Sequence, residues 1–147
     1  MALIDKLKEE QKSAMRAKDK LRLGTIRLAL SAIKQREVDE RITLSDDEIV
    51  AVLTKMVKQR RDSFAQYESA GRQDLADAEK AEITVLEEFM PQPLTETEVA
   101  ALITNAVTES SAKGMQDMGK VMALLKPQLQ GRADMGKVSG LVKAQLA

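Results

Sequence analysis

Two lysines set the question. Lys120 and Lys137 sit in identical pentapeptides, DMGKV, at Asp117–Val121 and Asp134–Val138. Each lysine follows a glycine, Gly119 or Gly136, and each pentapeptide opens with an aspartate. The chemistry this pattern offers is anion binding. Glycine bares the backbone near a helix start, where free N–H groups and the helix dipole favour a phosphate. A lysine in the first turn opposes the dipole, which suits an external anion. The pattern also has a purely architectural reading. Asp117 and Asp134 are helix caps, the glycines allow close packing, and the apolar residues form a seam. The spacing is not that of the longer Gly-Lys-Ser/Thr nucleotide loop. Lys113, Lys126, Arg132 and Lys143 are the other cations of this region, and with Gly119, Lys120, Gly136 and Lys137 they form the candidate phosphate-binding set.

A second constellation lies upstream. Arg60 falls within an apolar helical stripe, Ile49, Leu53, Met56, Val57, Phe64 and Tyr67. Glu79 and Glu82 fall on the stripe of the next helix, Leu75, Ile83, Val85, Leu86 and Met90. Paired carboxylates can run acid–base chemistry. The competing reading is an ion pair of Arg60 with Glu79 or Glu82 that ties two helices together. The structural ion pair is the favoured expectation.

Catalysis by Ser, Lys or paired carboxylates stays open, but other chemistry is missing. The chain has no Cys and no His, so thiolate nucleophiles, disulfides and the commonest metal ligand and general base are absent. No cofactor and no metal are expected. Aromatic residues make up 2%, leaving few platforms for stacking single-stranded bases. Net charge is zero, from 23 basic and 23 acidic residues, but unevenly spread. Residues 1–41 carry 11 Lys/Arg against 7 Asp/Glu, residues 62–100 carry 2 against 10, and residues 101–147 carry 6 against 3. That balance fits poorly with a strong nonspecific nucleic-acid binder but leaves room for a local basic face. DNA is not an expected partner. No apolar run approaches the roughly 20 residues of a membrane span. The start, MALIDKLKEEQ, lacks a secretory pattern, so the expectation is a cytoplasmic protein without a membrane partner.

The elements that position these residues read as helices throughout. Leu, Ile, Val, Ala and Met dominate a 44% hydrophobic composition and recur at helical spacing. Helices are expected over residues 2–18, 20–41, 45–69 and 72–89. The second is apolar nearly all round, so it should be central, with Gly24, Arg27, Ser31, Lys34 and Gln35 as its wet side. Ser45 with Glu48 reads as a capping box, and Gly71 as a left-handed stop. Pro91 and Pro93 then break the pattern. Thr95 with Glu98 caps a fifth helix that stops at Gly114. The two DMGKV segments open the sixth and seventh, over residues 117–129 and 134–146, with Pro127 and Gly131 marking the break. The predicted fold is all-α: an N-terminal four-helix domain, residues 1–91, and a C-terminal three-helix module, residues 92–147.

The segments LRLGTIRLALSAIK, VKQRRDSFAQYESAGRQDLADAEKAEI, LEEFMPQPLTETEV, DMGKVMALLKPQLQGRAD and VSGLVKAQL closely resemble the YqeY family of GatB/YqeY-domain proteins, in order and over nearly the whole chain. The family's second repeat is similar to GRADGKLVS, whereas here it is GRADMGKVS, which makes the two repeats more alike. The resemblance implies an all-helical protein of two parts. Its C-terminal module is like the tail of the B subunit of glutamine-dependent aminoacyl-tRNA amidotransferase, a tail associated with tRNA recognition. It also implies an association with carbon–nitrogen ligases that use glutamine as amido donor. The kinase-like core and the amidase machinery of those enzymes have no counterpart in this sequence. The leading expectation is therefore an accessory module, with tRNA and an aminoacyl-tRNA or amidotransferase complex as candidate partners. Two others stand beside it: a minimal amidotransferase using Arg60, Glu79 and Glu82, and a helical protein–protein adaptor without RNA.

Overall fold

The computed structural model describes residues 1–129 and 131–147. Among them are seven α-helices, one 3-10 turn and no strand. The chain forms two compact units, Met1–Met90 and Pro91–Ala147.

The first unit holds α1 (Leu3–Ala17), α2 (Lys20–Glu40), α3 (Asp46–Ser69) and α4 (Gln73–Glu87). Its core is aliphatic: Leu7, Ile26, Ile33, Ile49, Leu53 and Leu86 are almost wholly out of water. The long α3 packs most extensively on α4, while α2 touches α1, α3 and α4. Among the described residues Thr25 is the one buried polar side chain, and its hydroxyl donates to Leu21 O at 2.8 Å. Ser45 starts α3 through a complete capping box. Its hydroxyl accepts the Glu48 amide, and Glu48 accepts the Ser45 amide at 3.1 Å. Gly71 adopts φ 72°, the left-handed conformation that turns the chain into α4.

The centrality of α2 is incomplete. Thr25, Ile26, Ala29 and Ile33 are buried, but Leu21, Leu28 and Val38 remain 42%, 51% and 63% exposed. The apolar residues of α2 exceed what its neighbours in the chain cover.

The second unit holds α5 (Glu96–Ser110), the 3-10 turn Met115–Asp117, α6 (Met118–Leu129) and α7 (Met135–Leu146). Its core is separate: Val99, Ile103 and Ala106 meet Val121, Leu125, Leu129, Val138, Val142 and Leu146. Thr95 caps α5, accepting the Glu98 amide at 3.1 Å. The helix ends earlier than Gly114 suggests, because Ser111 takes a left-handed φ of 55° and closes it. Pro127 does not end α6. The helix continues through it to Leu129, whose side chain is fully buried. Burying Leu129 outweighs the hydrogen bond that Pro127 cannot donate. The turn comes at Gly131, with φ 77°.

Candidate nucleic-acid interface

The repeat is three-dimensional. Val121, Leu125 and Leu129 of α6 are buried, and so are Val138, Val142 and Leu146 of α7, the residues that align with them in the two copies. Equal spacing turns the same sides inward, so the remaining sides also correspond. On α6 the outward side carries Gly119, Lys120, Ala123, Lys126 and Pro127, all exposed. On α7 it carries Gly136, Lys137, Gly140, Lys143 and Ala144, again all exposed. Each helix thus shows water a low track of small residues flanked by two lysines. A Cβ built at Gly119 or Gly140 meets nothing within 4 Å, so packing within the chain does not require these glycines.

Gly140, Ala123 and Ala144 were not singled out by sequence reasoning. Their signal was the register of the repeat, which pairs Gly119–Ala123 with Gly136–Gly140, but only burial shows that these positions face out.

The two aspartates do different things. Asp134 caps α7, accepting the amides of Gly136 at 2.9 Å and Lys137 at 3.4 Å. Those N–H groups are therefore occupied and closed to a phosphate. Asp117 does not cap α6, which corrects the expectation from the repeat. It ends the 3-10 turn, and its carboxylate accepts the Lys113 amide at 3.0 Å, closing the loop before α6. That hydrogen bond, together with the charge of Lys120, holds the Asp117 carboxyl below the usual range. Lys120 Nζ lies 3.6 Å from Asp117 Oδ1 yet stays 71% exposed. The backbone cradle at the start of α7 is thus filled by the protein's own aspartate, and there the anion chemistry falls to the side chains.

Lys113, Lys126, Lys137 and Lys143 are exposed and form no ion pair within 4 Å among the described residues. Arg132 is engaged differently. Its Nε donates to Gln92 O at 3.2 Å, and its carbonyl accepts the Leu94 amide at 2.9 Å. It fastens the segment before α5 to the α6–α7 link, so it is first a clasp of this unit.

In the first unit, Arg60 Nε meets Glu82 Oε2 at 3.2 Å, and Arg60 Nη1 donates to Met56 O at 3.2 Å. The Arg60 side chain is 14% exposed and that of Glu82 27%. Glu79, one turn away on α4, has no hydrogen-bond partner in this cluster. Burial pushes its carboxyl up, the charge of Glu82 adds to that, and Arg60 opposes it. The arrangement joins α3 to α4. No group of three or more carboxylates among the described residues is placed to hold a metal. A surface depression lined by Ala65, Gln66, Ser69 and Ala70 contains no titratable side chain.

Glu79 gives a pH test. A carboxyl raised by folding contributes stability that is fully present below its unfolded value, about 4.3, and is lost as pH rises through the folded value. Glu79→Gln removes that loss. The variant is expected to melt higher than wild type at neutral pH and to show a flatter melting profile on the alkaline side of that window. Thermal melts across pH check it, and a lower melting temperature at pH 7 would show Glu79 to be favourably paired.

The model of the family described as Yqey-like protein matches residues 4–146. Among curated proteins, altered inheritance of mitochondria protein 41, mitochondrial, of Lachancea thermotolerans is 36% identical over 109 residues, covering 72% of this chain and 58% of the relative. The protein of the same name from Kluyveromyces lactis is 41% identical over 87 residues, covering 58% and 47%. That of Saccharomyces cerevisiae is 33% identical over 92 residues, covering 62% and 50%. The chain thus spans about half the length of the curated relatives it matches. Their names place them in mitochondria, which overturns the cytoplasmic expectation. That expectation rested on the lack of a secretory pattern, which does not separate the cytoplasm from an organelle. No described helix is long and apolar enough to cross a membrane.

Proposed function

Because the chain belongs to the Yqey-like family, we propose that its second unit is an RNA-binding accessory module that grips a structured RNA such as tRNA by its backbone. We also read the two units as a four-helix and a three-helix domain, since each closes its own aliphatic core. The carrying observation is the duplicated outward face of α6 and α7: small residues in a track, lysines on its edges, and two glycines, Gly119 and Gly140, that internal packing does not need. Duplex RNA is recognised by shape, through phosphates and 2′-hydroxyls across a wide, shallow minor groove. A face without large side chains lets that surface approach, and the lysine stems reach phosphates on either side. Few aromatics and zero net charge favour this local, shape-dependent mode over nonspecific binding.

The reading assigns no catalysis to this chain. Arg60 and Glu82 are consumed in joining α3 to α4, and tRNA amidotransferase chemistry would belong to a partner complex that the module serves. The relatives' names make mitochondria the compartment in which to look for that RNA. An adaptor role for the second unit has an observation in its favour: Leu141, 49% exposed on α7, offers an apolar contact that RNA would not use.

Filter binding of tRNA to wild type and to Gly140→Leu tests the reading. Position 140 is exposed and a Cβ there meets nothing within 4 Å, so the fold should hold and only an outside surface should be kept away. Weaker tRNA binding at an unchanged melting temperature is the expected result. Equal binding by both, or none by wild type at physiological salt, removes RNA from the reading and leaves the adaptor.

A further inference from the structure

The outward face of α2 has an order that the chain itself leaves unused. Leu21 and Leu28 are seven residues apart, and both are about half exposed. Three positions after each come the small residues Gly24 and Ser31, followed at the same spacing by Val38, 63% exposed. Lys20 and Arg27 stand just before the leucines and Lys34 just before Gln35, again seven apart and all exposed. This is the seam of a coiled coil. The alternation of three and four residues runs through apolar or small positions for two heptads, meets the polar Gln35 and returns at Val38, with one basic flank alongside.

Nothing in the chain accounts for that order. Glycine within a helix costs stability, and a Cβ at Gly24 would meet nothing within 4 Å. Lys20, Arg27 and Lys34 form no ion pair among the described residues, although Arg22 and Arg36 on other sides of α2 do.

We propose that this face docks an amphipathic helix of a partner protein whose flanking residues are acidic. Leu21 and Leu28 would fit between the partner's apolar side chains, and Gly24 and Ser31 would leave room for larger ones. The basic flank selects glutamate or aspartate opposite it. A second copy of the chain fits poorly. Antiparallel pairing sets Lys20, Arg27 and Lys34 against themselves. Parallel pairing sets them against the other flank, where Thr25 is buried, Ala32 is half-buried, and the single charge, Asp39, is already engaged by Gln35 of its own helix. RNA fits poorly as well, because exposed leucines gain nothing against phosphates and the face has no aromatic ring to stack a base. The proposal does not depend on the RNA reading of the second unit.

The probes are two synthetic three-heptad helices with identical apolar seams, one flanked by glutamate and one by lysine, titrated against the full chain by fluorescence anisotropy. The glutamate helix is expected to bind at least about tenfold tighter than the lysine helix, as several close charge pairs allow. Arg27→Glu/Lys34→Glu should reverse that preference, and Leu28→Gln should weaken binding of the glutamate helix. All three residues are exposed, so melting temperatures should hold. Amide shifts on adding the glutamate helix should fall along the outward side of α2. Failure of both helices to bind, equal binding of the two, or shifts elsewhere overturns the proposal. So does a wild-type dimer that Leu28→Gln dissolves, which makes a second copy the occupant. Loss of tRNA binding in Arg27→Glu/Lys34→Glu would likewise overturn it and make the face an RNA surface.

Discussion

Replacing Leu125 by Ala is expected to cost about 2–5 kcal/mol, the range for removing a buried leucine from a close-packed core. Leu125 is fully buried in the middle of α6, among the side chains through which α5, α6 and α7 meet. Folded proteins hold roughly 0.05–0.15 kcal/mol per residue, so a unit as small as Pro91–Ala147 has only about 3–9 kcal/mol in total. The single substitution therefore removes much of its stability. The consequence should stop at the unit's edge, because Met1–Met90 builds its core from other residues, with Leu53 and Leu86 at its centre. Helix content followed by circular dichroism should fall in two steps on heating, the earlier belonging to the second unit. Limited proteolysis should then leave a resistant fragment ending near Met90. Val142→Ala, at the aligned place in α7, should act in the same direction but less, since it removes fewer buried carbons. A single transition shifted as a whole would mean that the two cores unfold together and that the unit boundary has no energetic meaning.

The sequence carried the helices and some of their ends, and the exceptions share a cause. Ser45 and Gly71 act through contacts within a few residues, so their roles can be read from neighbours alone. Lys18, Arg41 and Ser111 close helices in the left-handed conformation without being glycine or asparagine, and composition gives no sign of that. The repeated aspartates show the limit more sharply. Their pentapeptides are identical, yet Asp134 caps its helix and Asp117 holds Lys113. The preceding turn decides: a left-handed Gly131 leads into one, and a 3-10 turn leads into the other. Arg132 was grouped with the phosphate-binding cations, but its partners Gln92 and Leu94 lie about 40 residues away in sequence, beyond any local pattern. The outward track on α6 and α7 stands between these cases. Its register was present in the repeat, and its direction needed the burial of Val121 and Val138 to be known.

That direction sets the size of the RNA effect. Removing a lysine that neutralises one phosphate of a duplex lowers the slope of log K against log salt by about 0.9. At about 0.15 M salt one such lysine is worth about fivefold in affinity, and two about 30-fold. Lys120→Ala/Lys137→Ala should therefore bind tRNA about 30-fold more weakly than wild type, with a slope reduced by about 1.8. The singles should not be equal. Lys120 lies 3.6 Å from the Asp117 carboxylate, which shares its charge, whereas Lys137 has no ion-pair partner among the described residues. Lys137→Ala is expected to weaken binding more. Lys8→Ala/Lys12→Ala, two exposed lysines on α1, serves as the charge-matched control and should leave both affinity and slope unchanged. Filter binding over a salt series reads wild type and all these variants together. If the α1 pair lowers the slope as much as the α6–α7 pair, binding follows overall charge, and the duplicated face has no special part in it. If only the α6–α7 pair does so, with Lys137 the heavier half, then the lysines of the two repeats touch phosphates, while Asp134, Val121 and Val138 hold the helices that present them.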